Sequence, residues 1–245
     1  MKLATLLALS AFGLAAQTSF ADDALLAIPG KLILDSKLDT APAAPWKTAK
    51  GKWEAVEGVL RGSELEADKH GAVMRATQDL TDCIVQVDVK FAGARTTTLT
   101  INAKKDHMAR VALTPTMVTV QRDDNDHEGP DKAIIFHRVK ADLKPGGWHT
   151  VRIEMVGDTM LGKVDNIVGY GSSELFTQTK TAPGVTVGGQ SVEFRNFKVW
   201  EATKNPKWDE VKATIKNEVT PLGAPAAAKG KGKGKAAKGK AKASK

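Results

Sequence analysis

The sequence predicts an all-β fold, an antiparallel sandwich or barrel. Short β-type runs follow one another from WEAVEGVLRG (53–62) to SVEFRNFKVWEA (191–202), with turn residues about every 8–12 positions. CIVQVDVKF (83–91) alternates strictly: Cys83, Val85, Val87, Val89 and Phe91 share one face, and Gln86, Asp88 and Lys90 the other. No amphipathic helix of about 12 residues separates the runs, which argues against a parallel βαβ sheet. Connections this short pair strands antiparallel, and roughly 170 residues in about 12 strands enclose one core.

Each element has its own signal. WEAVEGVLRG reads as a hairpin turning at Glu57-Gly58. TTLTIN, MARVAL, MVTVQR, AIIFHRV, WHTVRIEMVG, MLGKVD, IVGYG and GVTVGG continue the series. SSELFTQTK (172–180) is the weakest stretch, a loop or a single helical turn. Asp165-Asn166 reads as a tight turn, and Gly188-Gly189 as a turn into the final strand. Trp53, Trp148 and Trp200 are expected to fill the core, and Cys83 to be a small buried hydrophobe. The sandwich domain is placed at 30–202. A short helix then packs on it over 203–218, with Asn205 as N-cap, Pro206 at the first position, and Trp208, Val211 and Ile215 on one face.

The two ends differ from the body. Lys2, the apolar run Leu3 to Ala16 and Ser19-Phe20-Ala21 read as a signal peptide over 1–21, making the mature chain periplasmic or secreted. No stretch approaches the roughly 20 apolar residues of a transmembrane segment. The net charge is +8, and residues 224–245 hold eight Lys and no acid, so the rest of the chain is neutral overall. This tail reads as disordered, and either suited to an anionic polymer or surface or solvated with no specific partner. Export makes nucleic acid an unfavoured partner. One cysteine forms no internal disulfide.

Three stretches carry a family resemblance: Trp53-Glu-Ala-Val-Glu-Gly-Val-Leu60, Gly147 to Gly157 with Val-Asp-Asn166, and Gly189 to Trp200. In that order they resemble the 3-keto-disaccharide hydrolase family, also described as 3-keto-glucoside lyases or hydratases. The resemblance covers about 30–202 and implies a concanavalin A-like, laminin G-like jelly-roll sandwich, export, and a carbohydrate partner. It also implies cleavage of a 3-keto-glycoside by hydrolysis or elimination. The alternative is a non-catalytic glycan- or protein-binding module held to anionic surfaces by its Lys tail. The family's mid-domain "SG-hydrophobic-x-x-R" stretch reads here TTLTINAKKDHMAR, and its "Q-D/N-H-G" stretch reads APGVTVGGQSVEFRN, so no catalytic residue is carried over.

Candidate chemistry therefore comes from the residues themselves. His70, His107 and His127 each follow an acidic pattern at the edge of a predicted strand. Loops at one end of a sandwich can converge, and neutral imidazole serves as a general base or a zinc ligand. They are the candidate catalytic set; three unrelated loop histidines are the alternative. Asp124-Asn-Asp126-His-Glu128-Gly129 matches the start of a calcium loop, with Asp124, Asp126 and Glu128 as oxygen ligands. Its twelfth position is Ile135, so it is not an EF-hand. A divalent ion, calcium or zinc, is the only cofactor expected, and a solvated hairpin loop is the competing reading. Paired carboxylates for glycoside hydrolysis could come from this acidic loop, including Asp123 and Asp131, and from Glu64, Glu66 or Asp68. Trp46, after a linker-like APAAP and read as exposed, and Tyr170 are either sugar-stacking platforms or packing residues.

Overall fold

A computed structural model describes residues 25–104, 106–124, 128–129 and 132–222. The signal segment, most of the acidic loop and the Lys-rich tail lie outside the described residues. Sixteen strands are described: β1 (Ala27–Ser36), β2 (Trp46–Lys50), β3 (Lys52–Val56), β4 (Val59–Ser63), β5 (Ala72–Ala76), β6 (Asp79–Leu80), β7 (Cys83–Phe91), β8 (Ala94–Asn102), β9 (His107–Thr114), β10 (Met117–Arg122), β11 (Ile134–Lys140), β12 (His149–Val156), β13 (Thr159–Val164), β14 (Ile167–Ser172), β15 (Lys180–Gly189) and β16 (Val192–Lys204). They exceed the expected twelve because short pieces such as β2 and β6 carry little alternation of their own.

Two antiparallel sheets stack face to face, as expected of a concanavalin A-like jelly-roll sandwich. One runs β14-β13-β12-β7-β16-β4-β3 with β1 added on β16, and the other β11-β10-β9-β8-β15-β5-β2 with β6 added on β15. Period-two alternation fixes which residues meet. Cys83, Val85, Val87, Val89 and Phe91 point into the core from β7, against Leu99 and Ile101 of β8, Val111 and Leu113 of β9, and Val185 and Val187 of β15. The β3–β4 hairpin turns at Glu57 (φ 51°) and Gly58 (φ 78°), the left-handed pair of a type I′ turn. Asp165 (φ 50°) turns β13 into β14, while Gly188 and Gly189 end β15 rather than forming the turn themselves.

The tryptophans depart from expectation. Of the three expected to fill the core, Trp53 alone packs against it, partly buried over Phe194. Trp200 is buried on the opposite face of its sheet, beside Ala27 and Ile84. Trp148 precedes β12, where the Arg195 guanidinium stacks 4.0 Å above its ring and Lys90 lies 5.0 Å away; two cations favour the π face. Trp46 is buried rather than exposed, edge-on to Phe197 at 4.8 Å. The 172–180 stretch forms one 3₁₀ turn, Glu174–Thr177, because Phe176 is drawn fully into the core and Ser173 accepts from the Leu175 amide.

Part of the outer face of the first sheet is covered by the start of β1 and by the segment that follows β16. The Ala27 amide donates to the Glu154 carboxylate (2.9 Å), which Arg152 also approaches at 3.4 Å. Glu154 is fully buried, and desolvation pushes its carboxyl up despite these partners. The helix α1 (Trp208–Thr214) begins two residues later than expected, because Pro206 and Lys207 form a turn that Asn205 caps through the Lys207 amide. Trp208 is buried with Leu26 and Leu161, edge-on to Tyr170, with Val211 and Ile215 alongside. The chain then reaches the second sheet, where the Glu218 amide donates to His137 Nδ1 (3.0 Å).

Two expectations follow. Replacing Trp208 by Ala should cost about 3 kcal/mol in urea unfolding, the usual scale for emptying a buried tryptophan site. Burial lowers the His137 pKa, with the Glu218 carboxylate opposing the effect in part. An unfolded His takes up a proton below about pH 6.5, whereas the folded one stays neutral to lower pH. The stability linked to neutral His137 is therefore present above that range and is lost as pH falls. A thermal-unfolding series from pH 7.5 to 5 should fall less steeply for His137→Asn, which keeps an acceptor but does not titrate.

Candidate functional site

Alternation that sends Leu99, Val111 and Val185 inward sends their neighbours to the outer face of the second sheet. One cross-strand row there runs Arg75 (β5), Gly184 (β15), Thr100 (β8), Arg110 (β9) and Gln121 (β10). The next runs Val73, Thr186, Thr98, Ala112 and Thr119. Small residues dominate, and they leave a trough of about 600 Å³. The Thr98 and Thr186 hydroxyls share a hydrogen bond of 2.7 Å on its floor. Gly184 is required where β5 and β15 close together: a Cβ there would lie 2.2 Å from the Met74 carbonyl oxygen.

The side walls are cationic. Arg75 lies over Gly184 and reaches across β15 to Asn102 on β8. With the Asn102 amide oriented so that its oxygen faces the guanidinium, Nε (3.2 Å) and Nη1 (3.3 Å) of Arg75 donate to it. Burial, then the neighbouring Arg110, lower the Arg75 pKa. Arg110 is held by Asp123, which accepts from its Nε and Nη2 at 2.7 Å each. Gln121 donates to the other oxygen of Asp123 at 2.8 Å, and Asp123 is itself almost wholly buried. At the far end Glu64 accepts from Arg95 (3.1 Å) and from the Gly189 amide (2.6 Å), with Lys50 nearby.

Two of the three candidate histidines line this pocket. His70, exposed at the rim, has Nδ1 2.7 Å from the Gly71 carbonyl oxygen. A carbonyl only accepts, so Nδ1 carries the hydrogen and neutral His70 presents the Nε2 lone pair. His107 opens β9 and also lines an adjoining pocket of about 220 Å³ with Arg75, Asn102 and Asp106. His127 and Asp126 lie outside the described residues, as does Asp131. Asp124 and Glu128 are described but line neither pocket. Among the described residues no three His, Cys, Asp or Glu side chains converge to hold a metal ion.

The carboxylates have structural partners. Asp123 holds Arg110, Asp68 accepts from the Gly51 amide at 2.6 Å, and Glu66 is exposed on a 3₁₀ turn. Glu64 is the only acid among the described residues that line the trough. Trp46 and Tyr170 are packing residues away from it. Arg75 and Arg110 escaped the sequence reading. Their signal was an arginine at the polar phase of an otherwise largely apolar strand, in AVMRA and HMARVAL.

Known structures share this architecture at low identity. The laminarinase from Rhodothermus marinus superposes with a TM-score of 0.56 at 11% identity, over 72% of this chain and 100% of that one. A Bacillus subtilis protein of unknown function with a galectin-like fold gives 0.54 at 9%, over 74% and 100%. The carbohydrate-binding module CBM66 from Bacillus subtilis gives 0.50 at 16%, over 64% and 96%. These likenesses concern the fold. No curated protein sequence matches the chain. Residues 33–200 match the 3-keto-alpha-glucoside-1,2-lyase-like domain, and the chain belongs to that family.

Proposed function

We propose that the outer-face trough of the second sheet is a saccharide site in which the chain cleaves a 3-keto-glycoside by elimination. The observation that carries this reading is the presence of two imidazoles and three guanidinium groups in the lining of one pocket, with His70 Nε2 available as a base. A ketone at C3 acidifies the neighbouring C2–H. An imidazole takes that proton, and the C–H electron pair becomes an enolate whose oxygen a guanidinium stabilises. Collapse of the enolate restores the ketone, forms the C1–C2 double bond and breaks the C1–O bond. The departing oxygen takes up a proton, and later addition of water across the double bond makes the net reaction a hydrolysis.

The trough suits this route better than a two-carboxylate mechanism, because Glu64 already accepts from Arg95 and from the Gly189 amide. The threonine floor offers hydroxyls to sugar hydroxyls. In the same reading residues 1–21 export the chain, and the Lys-rich tail holds it to an anionic surface.

Incubating the mature chain with a 3-keto-glucoside should release the aglycone together with an enone absorbing in the ultraviolet; the parent glucoside should be inert. Whichever of His70→Gln and His107→Gln removes the base should lose about 10²–10⁴ in kcat, with the other variant less affected. Release that neither substitution slows sinks the mechanism. The exposure of His70 at an open rim favours a second reading, a non-catalytic glycan-binding module. It predicts retention on a glycan column with no turnover.

A further inference from the structure

The charges of the trough do not balance. Among the described lining residues Lys50, Arg75, Arg95 and Arg110 face one carboxylate, Glu64. Glu64 pairs with Arg95, and Asp123 holds Arg110 from beneath. Arg75 and Lys50 have no carboxylate partner among the described residues. The Arg75 fork meets only the neutral Asn102 amide, through Nε and Nη1, and no described residue accepts from Nη2. This excess is local, since the chain outside residues 224–245 carries no net charge.

A half-buried guanidinium beside a second one needs a counter-charge. Resting on the reading of the trough as a saccharide site, we infer that its ligand is an acidic saccharide whose carboxylate binds Arg75. The planar fork of arginine matches a carboxylate through two parallel N–H bonds, and such charge-assisted bonds are about twice as strong as neutral ones. Arg75 would take the uronate group, Arg110 and Lys50 would add field, and the hydroxyls of Thr98 and Thr186 would meet the ring hydroxyls. Arg75 already spans two strands to reach Asn102, so the fork is oriented before any ligand arrives.

Calorimetric titration of the full mature chain with a trigalacturonate, a neutral galactotriose and a sulfated galactotriose tests this. The trigalacturonate should bind roughly tenfold or more tighter than the neutral trimer. Arg75→Gln should bring trigalacturonate down to the affinity of the neutral trimer for the same variant, and Arg75→Lys, which keeps the charge but not the fork, should fall between. Thermal unfolding close to that of the parent chain shows that each variant is folded; if Arg75→Gln does not fold, Arg75→Lys decides alone. Acid-selective binding that survives both substitutions belongs to the Lys-rich tail and overturns the inference. A neutral trimer that binds as tightly as the acidic one also overturns it while sparing the saccharide site. Tighter Arg75-dependent binding of the sulfated trimer overturns the carboxylate assignment. No binding of any saccharide overturns both the inference and the reading beneath it.

Discussion

The register of β15 between β5 and β8 is the constraint on which the pocket depends. Side chains alternate with a period of two, so a slip of one residue would turn Val185 and Val187 outward and Thr186 inward. It would also part Arg75 from Gly184, the residue whose missing side chain lets the guanidinium cross to Asn102. The hydrophobic core and the polar trough are thus two faces of one pairing. The core enforces the register because burying hydroxyls in place of valine side chains is unfavourable.

The two sheets differ in what covers their outer faces. The outer face of the first sheet is covered in part by β1, the turn at Asn205 and α1, and the buried Glu154 fixes the entry of β1 through the Ala27 amide. A buried carboxylate is seldom a net source of stability; here its effect is positional, since Ala27 and Ile84 pack under Trp200 only if β1 enters at that point. Arg61, Lys90 and Arg195 stay partly exposed on another part of that face, and the trough lies on the threonine-rich face of the second sheet.

Much of the framework was legible in the sequence because it rests on local alternation. CIVQVDVKF forms β7 as its pattern requires, and Glu57-Gly58 turns as its dihedral preferences require. The aromatic residues were misplaced because hydrophobicity alone does not say which face of a sheet a second layer covers. Trp200 packs under β1, and Trp148 between two cations. His70 and His107 were singled out because a histidine in a polar loop stands out, and both line the trough. Their meeting depends on β5, β15, β8 and β9 lying side by side, a non-local arrangement. Arg75 and Arg110 were overlooked because an arginine in a strand ordinarily reads as solvent-facing. Asp123, the first acid of that loop, is a buried anchor for Arg110, which its place in a run of acids does not reveal.

The segment after α1 also guards a sheet edge. β11 is the last strand of the second sheet, and such an edge offers unpaired amides and carbonyls to any passing strand. Here the Arg138 amide donates to the Glu218 carbonyl, and the Thr220 amide donates to the Arg138 carbonyl. Residues 218–220 thereby occupy the middle of that edge, clasped by His137 from within. A chain shortened before Glu218 would keep its trough yet lose this guard, and its copies could join edge to edge into aggregates.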